Sequence, residues 1–225
     1  MEKEFDFEAG AILNFNKPIG KSSFWVVKKV RNAIKTKVGH AGTLDPFAEG
    51  VLLLCTGKAT KQVSELMELT KEYIGEIELG IETDTDDRTG KMINRQEAPE
   101  LEQKEFERIC KSFIGDIYQV PPMFSAKKIN GRRLYQIARK GKVIEREPKL
   151  VHIETIDVLS FCSPIAKIKV TCSKGTYIRA LARDIGQKIG CGAHLKSLIR
   201  TKIGEYAIKD SITLNQFEEI LNCCG

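Results

Sequence analysis

The longest apolar run in the sequence, Val51 to Cys55, is five residues long and follows directly on a segment, Gly39 to Gly50, that holds three glycines, a histidine, an aspartate and a proline. A run of that length suits a buried strand and falls far short of the roughly 18 apolar residues of a membrane span. The remaining hydrophobic residues follow two periods. Tyr73, Gly75, Ile77 and Leu79 alternate with Glu72, Glu76 and Glu78, the pattern of a strand with one buried face. Val26, Val30, Ala33 and Ile34 recur at helical spacing, and Ser22 or Ser23 is placed to cap that helix, which is expected to run to about Thr36.

Further along, Lys58 to Leu69 and Glu102 to Ile114 read as amphipathic helices, and Thr176 to Lys188 as a helix with Ile178, Leu181, Ala182 and Ile185 on one stripe. Ala11 to Phe15 is a short strand candidate, and Leu150 to Phe161 with Ile165 to Cys172 a strand pair. Thr213 and Gln216 form a capping box ahead of a last helix, Leu214 to Asn222. Strands and helices mix without strict alternation, which favours an α+β fold over a doubly wound parallel sheet.

At 225 residues, 42% hydrophobic and 29% charged, the chain has the composition of a globular protein large enough to hold a core without metal or disulfide staples. Its net charge of +6 mildly favours polyanionic partners. The seven cysteines show neither a C-x-x-C nor a paired histidine spacing and read as reduced thiols, mostly buried. The start, MEKEFDFEAG, lacks the basic and apolar regions of a signal peptide, so a cytoplasmic location is expected and no membrane partner.

Three segments carry candidate chemistry. In GHAGTLDPFAEG, residues 39 to 50, Asp45 precedes Pro46, which biases the aspartate toward extended geometry; its carboxylate is either presented to a substrate or spent in an Asp-Pro turn. From Ile117 to Ile144 there is no acid across 28 residues and seven bases, Lys127, Lys128, Arg132, Arg133, Arg139, Lys140 and Lys142, interleaved with Pro121, Pro122, Met123, Phe124 and Tyr135. Bases neutralise phosphates and aromatic groups stack on unpaired bases, so this stretch reads as a nucleic-acid contact against the alternative of a solvated charge run. In SKGTYIRALARDIG, residues 173 to 186, Tyr177 and Arg179 flank a helix start; the arginine is either a carboxylate holder or a surface group. Asp84, Asp86 and Asp87 in DTDDRTG lack the terminal bidentate acid of a calcium loop and read as a polar hairpin with one acid salt-bridged to Arg88 or another arginine, so no metal is expected.

Taken in order, ILNFNKPIGKSSFWVVKKVR, KVGHAGTLDPFAEGVLLLCTGKATK, KEYIGEIELGIETDTDDRTG, PPMFSAKKINGRRLYQIARKG, SKGTYIRALARDIG and AHLKSLIRTKIGEY resemble the TruB family of tRNA pseudouridine synthases over residues 11 to 206. The resemblance implies a pseudouridine synthase fold: a long, mainly antiparallel central sheet flanked by helices, with a basic thumb-like insertion at about 121–143. It implies one catalytic domain over 1–225 without a separate C-terminal RNA-binding domain, acting as a monomer on the T arm of tRNA. The activity implied is conversion of uridine 55 in the T loop to pseudouridine, with no cofactor. By the same likeness Asp45 is the catalytic aspartate, Arg179 its ion-pair partner, and Tyr73 the residue that stacks on the target base. His40 lies where the extruded nucleotide leaves the loop, Tyr177 belongs to the active-site pair, and Lys17, Pro18, Lys61 and Leu198 line or support the pocket.

The chemistry suits these residue types. The C1′ to N1 bond breaks, the base turns, a C1′ to C5 bond forms and the C5 proton leaves, without exchange of electrons. One carboxylate serves, by attack at C1′ or C6 or by abstracting a sugar proton, and an aspartate of ordinary pKa about 3.9 is ionised at neutral pH. The base must leave its stack at a cost of a few kcal/mol, which stacking on Tyr73 at about 1 to 3 kcal/mol largely offsets. Tyr73 is also a weak candidate for relaying the C5 proton. His40 has the alternative of a neutral structural histidine bonded within its own loop. The competing functions are a non-catalytic T-arm binder or RNA chaperone with the same fold, and a nucleoside hydrolase that would release free uracil.

Overall fold

A computed structural model describes residues 6–124, 128–129, 132–133 and 144–223, the backbone alone at 128–129, 132–133 and 223. In chain order its elements are β1 (Ile12–Lys17), α1 (Ser23–Ile34), β2 (Val38–Ala41), β3 (Glu49–Thr56), a 3-10 turn (Gly57–Gln62), α2 (Val63–Glu68), β4 (Lys71–Leu79), β5 (Ile81–Thr83) and β6 (Met92–Arg95). There follow α3 (Gln103–Lys111), β7 (Gly115–Gln119), β8 (Lys128–Ile129), β9 (Arg132–Arg133), β10 (Lys149–Cys162), β11 (Ile165–Cys172), α4 (Ile178–Ile189), β12 (Ala193–Ile203), β13 (Tyr206–Ala207) and α5 (Leu214–Cys223). The chain divides into two compact units, Met1–Tyr73 with Ile199–Gly225, and Ile74–Leu198; β4 and β12 each run through both.

In the first unit the sheet order is β1-β3-β12, with β2 also pairing β3. β1 and β2 are antiparallel to β3, and β12 joins it in parallel where Ile199 and Arg200 meet Glu49 and Gly50. The apolar run in β3 is explained by burial on both faces. Leu52 and Leu54 pack with Leu13, Phe15, Val26, Val27, Val30 and Phe217 beneath α1 and α5, while Val51, Leu53 and Cys55 pack with Ala41, Ala59, Leu66 and Ile203 on the opposite side. Fully burying a leucine contributes about 1.5–3 kcal/mol, so this strand anchors the unit. The N-terminus of α1 is capped by Ser22, whose hydroxyl accepts from the Trp25 N–H at 3.1 Å.

In the second unit the order is β12-β4-β11-β10-β7, with β11 and β7 antiparallel to β10. The alternation in β4 takes the form of strict burial of every second residue. α3 lies against β10 and against α4, and Phe106 stacks on Phe161 with ring centroids 4.6 Å apart. β5–β6 and β8–β9 form separate two-stranded sheets.

Three segments differ from their sequence patterns. Gly39 to Gly50 reads as loop, yet its first residues lie in β2, where His40 pairs with Leu54; an edge strand is made by its partner more than by its own composition. The first half of Lys58 to Leu69 is a 3-10 turn, tightened by the Thr60 hydroxyl donating to the Gly57 carbonyl at 2.8 Å. α3 ends at Lys111 rather than Ile114, with Phe113 and Ile114 closing tight turns onto Cys110 and Lys111 ahead of β7.

Candidate active site

Asp45 lies in the first unit on the short loop between β2 and β3, and the loop is pinned on both sides. Before it, the buried Ser23 hydroxyl accepts from the Leu44 N–H at 2.9 Å and donates to the Leu44 carbonyl at 3.1 Å. After it, Phe47 and Ala48 are buried, the Ala48 N–H bonds the Asp45 carbonyl, and the Pro46 carbonyl accepts from the Gly20 N–H at 2.7 Å. Asp45 itself is half-buried.

Lys17, at the end of β1, has no solvent exposure, and its ammonium donates to the carbonyls of Pro18 at 2.8 Å and Lys21 at 2.5 Å. Burial pushes its pKa down to about 8; the charges of Asp45 and Glu49 oppose that shift and Arg200 adds to it. The ammonium therefore sits in the electrostatic field of the Asp45 carboxylate. His40 donates to or accepts from the Thr43 hydroxyl at 3.1 Å, within its own loop. Burial, and secondly Arg200, depress its pKa below the usual 6.5, so the ring is neutral at pH 7. Tyr73, on the buried face of β4, is 9% exposed.

Arg200 organises this loop and was not singled out by its sequence. It is 1% exposed, donating from Nε to the Val51 carbonyl at 2.7 Å and from Nη2 to the Gly42 carbonyl at 3.0 Å, so one guanidinium ties together the two ends of the segment carrying Asp45. Gly50 makes room for it: φ is +106°, and a Cβ there would collide with the Arg200 backbone at its carbonyl oxygen. Lys61 stands on the 3-10 turn, exposed, in the wall of an open cavity shared with Lys35, Lys37 and Lys58; that wall does not include Lys17, His40 or Asp45.

In the second unit, Tyr177 is the N-cap residue of α4, its N–H held by the Gln119 side-chain oxygen at 2.7 Å. Arg179 follows and is 2% exposed. Its Nη1 donates to the Thr85 carbonyl at 2.9 Å and pairs with Asp87 Oδ2 at 3.3 Å, and its Nη2 donates to the Phe124 carbonyl at 2.9 Å. One turn later Arg183 repeats the arrangement, pairing with Asp86 at 3.0 Å and Asp184 at 2.8 Å and donating to the Val120 carbonyl at 3.1 Å. Helix α4 thus binds the 83–90 hairpin and the 120–124 segment through two arginines at i and i+4, the spacing that places them on one face. Burial raises the Asp86 carboxyl pKa against the pull of Arg183 and Arg179.

Asp86 and Asp87 are therefore tied into the fold, as the salt-bridge reading of DTDDRTG expects, with Arg183 and Arg179 rather than Arg88 as partners, while Asp84 Oδ1 accepts from the Lys91 N–H at 2.8 Å. Asp87 Oδ1 also accepts from the Thr85 hydroxyl at 2.9 Å and the Thr89 N–H at 2.9 Å. Among the described residues no group of three or more His, Cys, Asp or Glu is placed to hold a metal, and no helix is long and apolar enough to cross a membrane. Leu198 is 7% exposed beside Gly75, where an added Cβ would come 3.1 Å from Leu195 and 3.5 Å from Leu198, so the glycine leaves space for that leucine pair. Of the basic insertion, Lys128 pairs with Arg133 in the β8–β9 hairpin, which also holds Arg132; Lys127, Arg139, Lys140 and Lys142 lie outside the described residues.

Comparison with known proteins gives the chain its relatives. Residues 28–178 match the N-terminal domain of the TruB family of pseudouridylate synthases, and residues 179–224 match the tRNA pseudouridylate synthase B C-terminal domain. The tRNA pseudouridine synthase B of Bacteroides fragilis is 45% identical over 221 residues, covering 95% of each chain. That of Clostridium kluyveri is 49% identical over 208 residues, covering 92% of this chain and 72% of the relative. Among solved structures, a Cbf5-Nop10-Gar1 complex aligns at TM-score 0.72 and 28% identity over 93% of this chain, which spans about half, 53%, of that one. The Nop10-Cbf5 complex of an archaeal box H/ACA sRNP shares the fold at TM-score 0.73 and 24% identity, over 99% of this chain and 57% of its own. On the family match across most of its length, the chain belongs to the TruB family of pseudouridylate synthases.

Proposed function

We propose that this protein converts uridine to pseudouridine in tRNA, at position 55 of the T loop, with Asp45 as the catalytic carboxylate and no cofactor. The observation that carries the reading is the Asp45 loop itself: a carboxylate whose flanking backbone is fixed by Ser23, Gly20 and Arg200 and which lies in the field of a buried lysine. Such a group is preorganised, so little reorganisation is spent when a sugar carbon is brought to it.

In this reading Asp45 acts at C1′ or C6 or on a sugar proton, the C1′–N1 bond breaks, the freed base rotates, C1′ bonds C5, and the C5 proton leaves to solvent or through Tyr73. Tyr73 supports the everted base, and neutral His40 fills the place it vacates. Asp45 meets the substrate, and the buried Lys17 ammonium, in whose field it lies, supports its charge. The basic insertion, with Lys128, Arg132 and Arg133 among its residues, grips the T arm through phosphates.

Release of tritium from 5-tritiated uridine in a T-arm hairpin tests the proposal, because only C5 bond formation expels the label. Wild-type protein is expected to release it; Asp45→Asn is expected to abolish release while RNA affinity stays within a few fold. Retained turnover in Asp45→Asn overturns the assignment. Absence of release by the wild type identifies a binder, and free uracil identifies a hydrolase.

A further inference from the structure

No acidic residue occurs between Glu8 and Asp45, a stretch that contains Lys17, Lys21, Lys28, Lys29, Arg31, Lys35 and Lys37. Lys17 is consumed inside the fold, and Lys21 and Lys29 lie over the Trp25 ring at 5.2 and 5.7 Å from its centroid. The others are exposed. Phe24, Lys28, Arg31 and Lys35 stand at i, i+4, i+7 and i+11, so they share one face of α1 and its C-cap, with Phe24 60% exposed. The stripe is roughly 16 Å long at 1.5 Å per residue. It runs into an open cavity of about 410 Å³ walled by Lys35, Lys37, Lys58 and Lys61, the Thr36 and Thr60 residues, and one acid, Glu8.

Among the described residues none of Lys28, Arg31, Lys35, Lys37 or Lys58 is paired with a carboxylate. Surface cations on a solvated helix are usually interspersed with acids, and here the acids are missing over the whole face. Dipole compensation accounts for Arg31 and Lys35 at the helix C-terminus and not for Lys28, Lys37 or Lys58. A membrane surface is a poor occupant, because the apolar face of α1, Val26, Val27 and Val30, is already buried in the core and leaves only Phe24 and Ile19 to insert. A polyanion with regularly spaced phosphates and unpaired bases to meet an aromatic ring fits better.

We propose that the exposed face of α1, with the cavity at its C-terminal end, is a second RNA-backbone site, separate in sequence from the basic insertion. It rests on RNA being the substrate class and extends that reading by assigning a further phosphate contact surface. Each cation that neutralises a phosphate adds about 0.7–0.9 to the slope of log affinity against log salt, so three such contacts are worth about 2–3.

The test is the triple variant Lys28→Gln, Arg31→Gln, Lys35→Gln, measured by fluorescence anisotropy on full-length tRNA between 50 and 200 mM salt. Expected are an affinity loss of at least about tenfold at the lower salt, a salt slope smaller by about 2–3, and a rise in KM larger than any change in kcat. A circular-dichroism melt checks that the variant is folded, and Lys28→Gln alone, expected to reduce the slope by about 1, serves if it is not. Unchanged affinity and slope overturn the proposal. Unchanged RNA binding with lost sedimentation on vesicles containing phosphatidylserine overturns it in favour of a lipid surface. Anisotropy does not require turnover, so failure here with normal tritium release is distinct from failure of the catalytic reading, which shows as no release by the wild type.

Discussion

Ser23→Ala isolates the clamp on the loop that carries Asp45. The hydroxyl is 1% exposed and holds both polar groups of Leu44, the residue immediately before Asp45. The helix start is left intact, because the capping side chain belongs to Ser22. Alanine removes no packing volume beyond one oxygen but leaves a buried N–H and a buried carbonyl without partners, each costing about 1–3 kcal/mol. The two together lower stability by about 2–6 kcal/mol, which for a chain of this size, at about 2–4 °C per kcal/mol, lowers Tm by about 4–24 °C. The released Leu44 lets the neighbouring carboxylate wander, and a displacement of about 1 Å costs up to about a hundredfold in rate. Single-turnover tritium release well below the new Tm is therefore expected to fall about tenfold or more while RNA affinity changes less than about threefold. A lowered Tm with wild-type turnover would refute the positioning role of Ser23, and an unchanged Tm would refute the hydrogen-bond accounting.

Lys17, with its pKa near 8, is charged below that pH and neutral above it, so turnover is expected to show an alkaline limb near pH 8 that Lys17→Arg removes from the measurable range; a limb that persists in the variant refutes the assignment. Because the folded pKa lies below the unfolded 10.5, the unfolded chain binds more protons between the two values, and the Lys17 contribution to stability rises with pH across that window, as denaturant midpoints of wild type and variant should show. Asp86→Asn keeps a residue type that tolerates φ of +60° and removes only the charge facing Arg183; a loss of about 1–3 kcal/mol is expected, and Asp86→Asn combined with Arg183→Gln should cost little more than either alone. Gly50→Ala must part β3 from Arg200 or strain the backbone, so a loss of about 3 kcal/mol or more is expected by denaturant unfolding, and less than about 1 kcal/mol contradicts the close approach. If four to six bases of the insertion touch phosphate, RNA affinity falls by about a hundredfold between 50 and 200 mM salt, and a flat response contradicts the grip assigned to them.

What could be read from the sequence was local. The alternation of β4, the capping box at Thr213 and Gln216, and the amphipathic stripe of α4 each depend on residues within a few positions of one another, and each is present. What escaped was chosen at long range. Arg200 meets Gly42 across 158 residues and Arg179 meets Thr85 across 94, and nothing in the spacing of either arginine names its partner. Val38–Ala41 reads as loop from its glycine and histidine yet becomes a strand because β3 offers it an edge. The basic face of α1 escaped because its cations alternate with the valines that made the helix legible in the first place. Asp45 stands out through a motif; the groups that fix its loop, Ser23 and Arg200, carry no motif of their own.

Two of the buried cations share a feature that bears on the chemistry. Lys17 and Arg200, at 0% and 1% exposure, each donate to two backbone carbonyls, Pro18 and Lys21 for the one, Val51 and Gly42 for the other, whereas Arg179 adds the Asp87 carboxylate to the carbonyls of Thr85 and Phe124. A carbonyl satisfies a cation's hydrogen-bonding needs without cancelling its charge, whereas a carboxylate does both. Lys17 and Arg200 have no carboxylate within ion-pair distance among the described residues, so their positive charge remains directed at the loop that carries Asp45. In a poorly hydrated surrounding such charges act over longer distances than they would in water. The loop is thus built as a place where the Asp45 carboxylate is stabilised as an anion. Replacing either cation by a neutral isostere would leave the hydrogen bonds partly repairable by water, but not the potential.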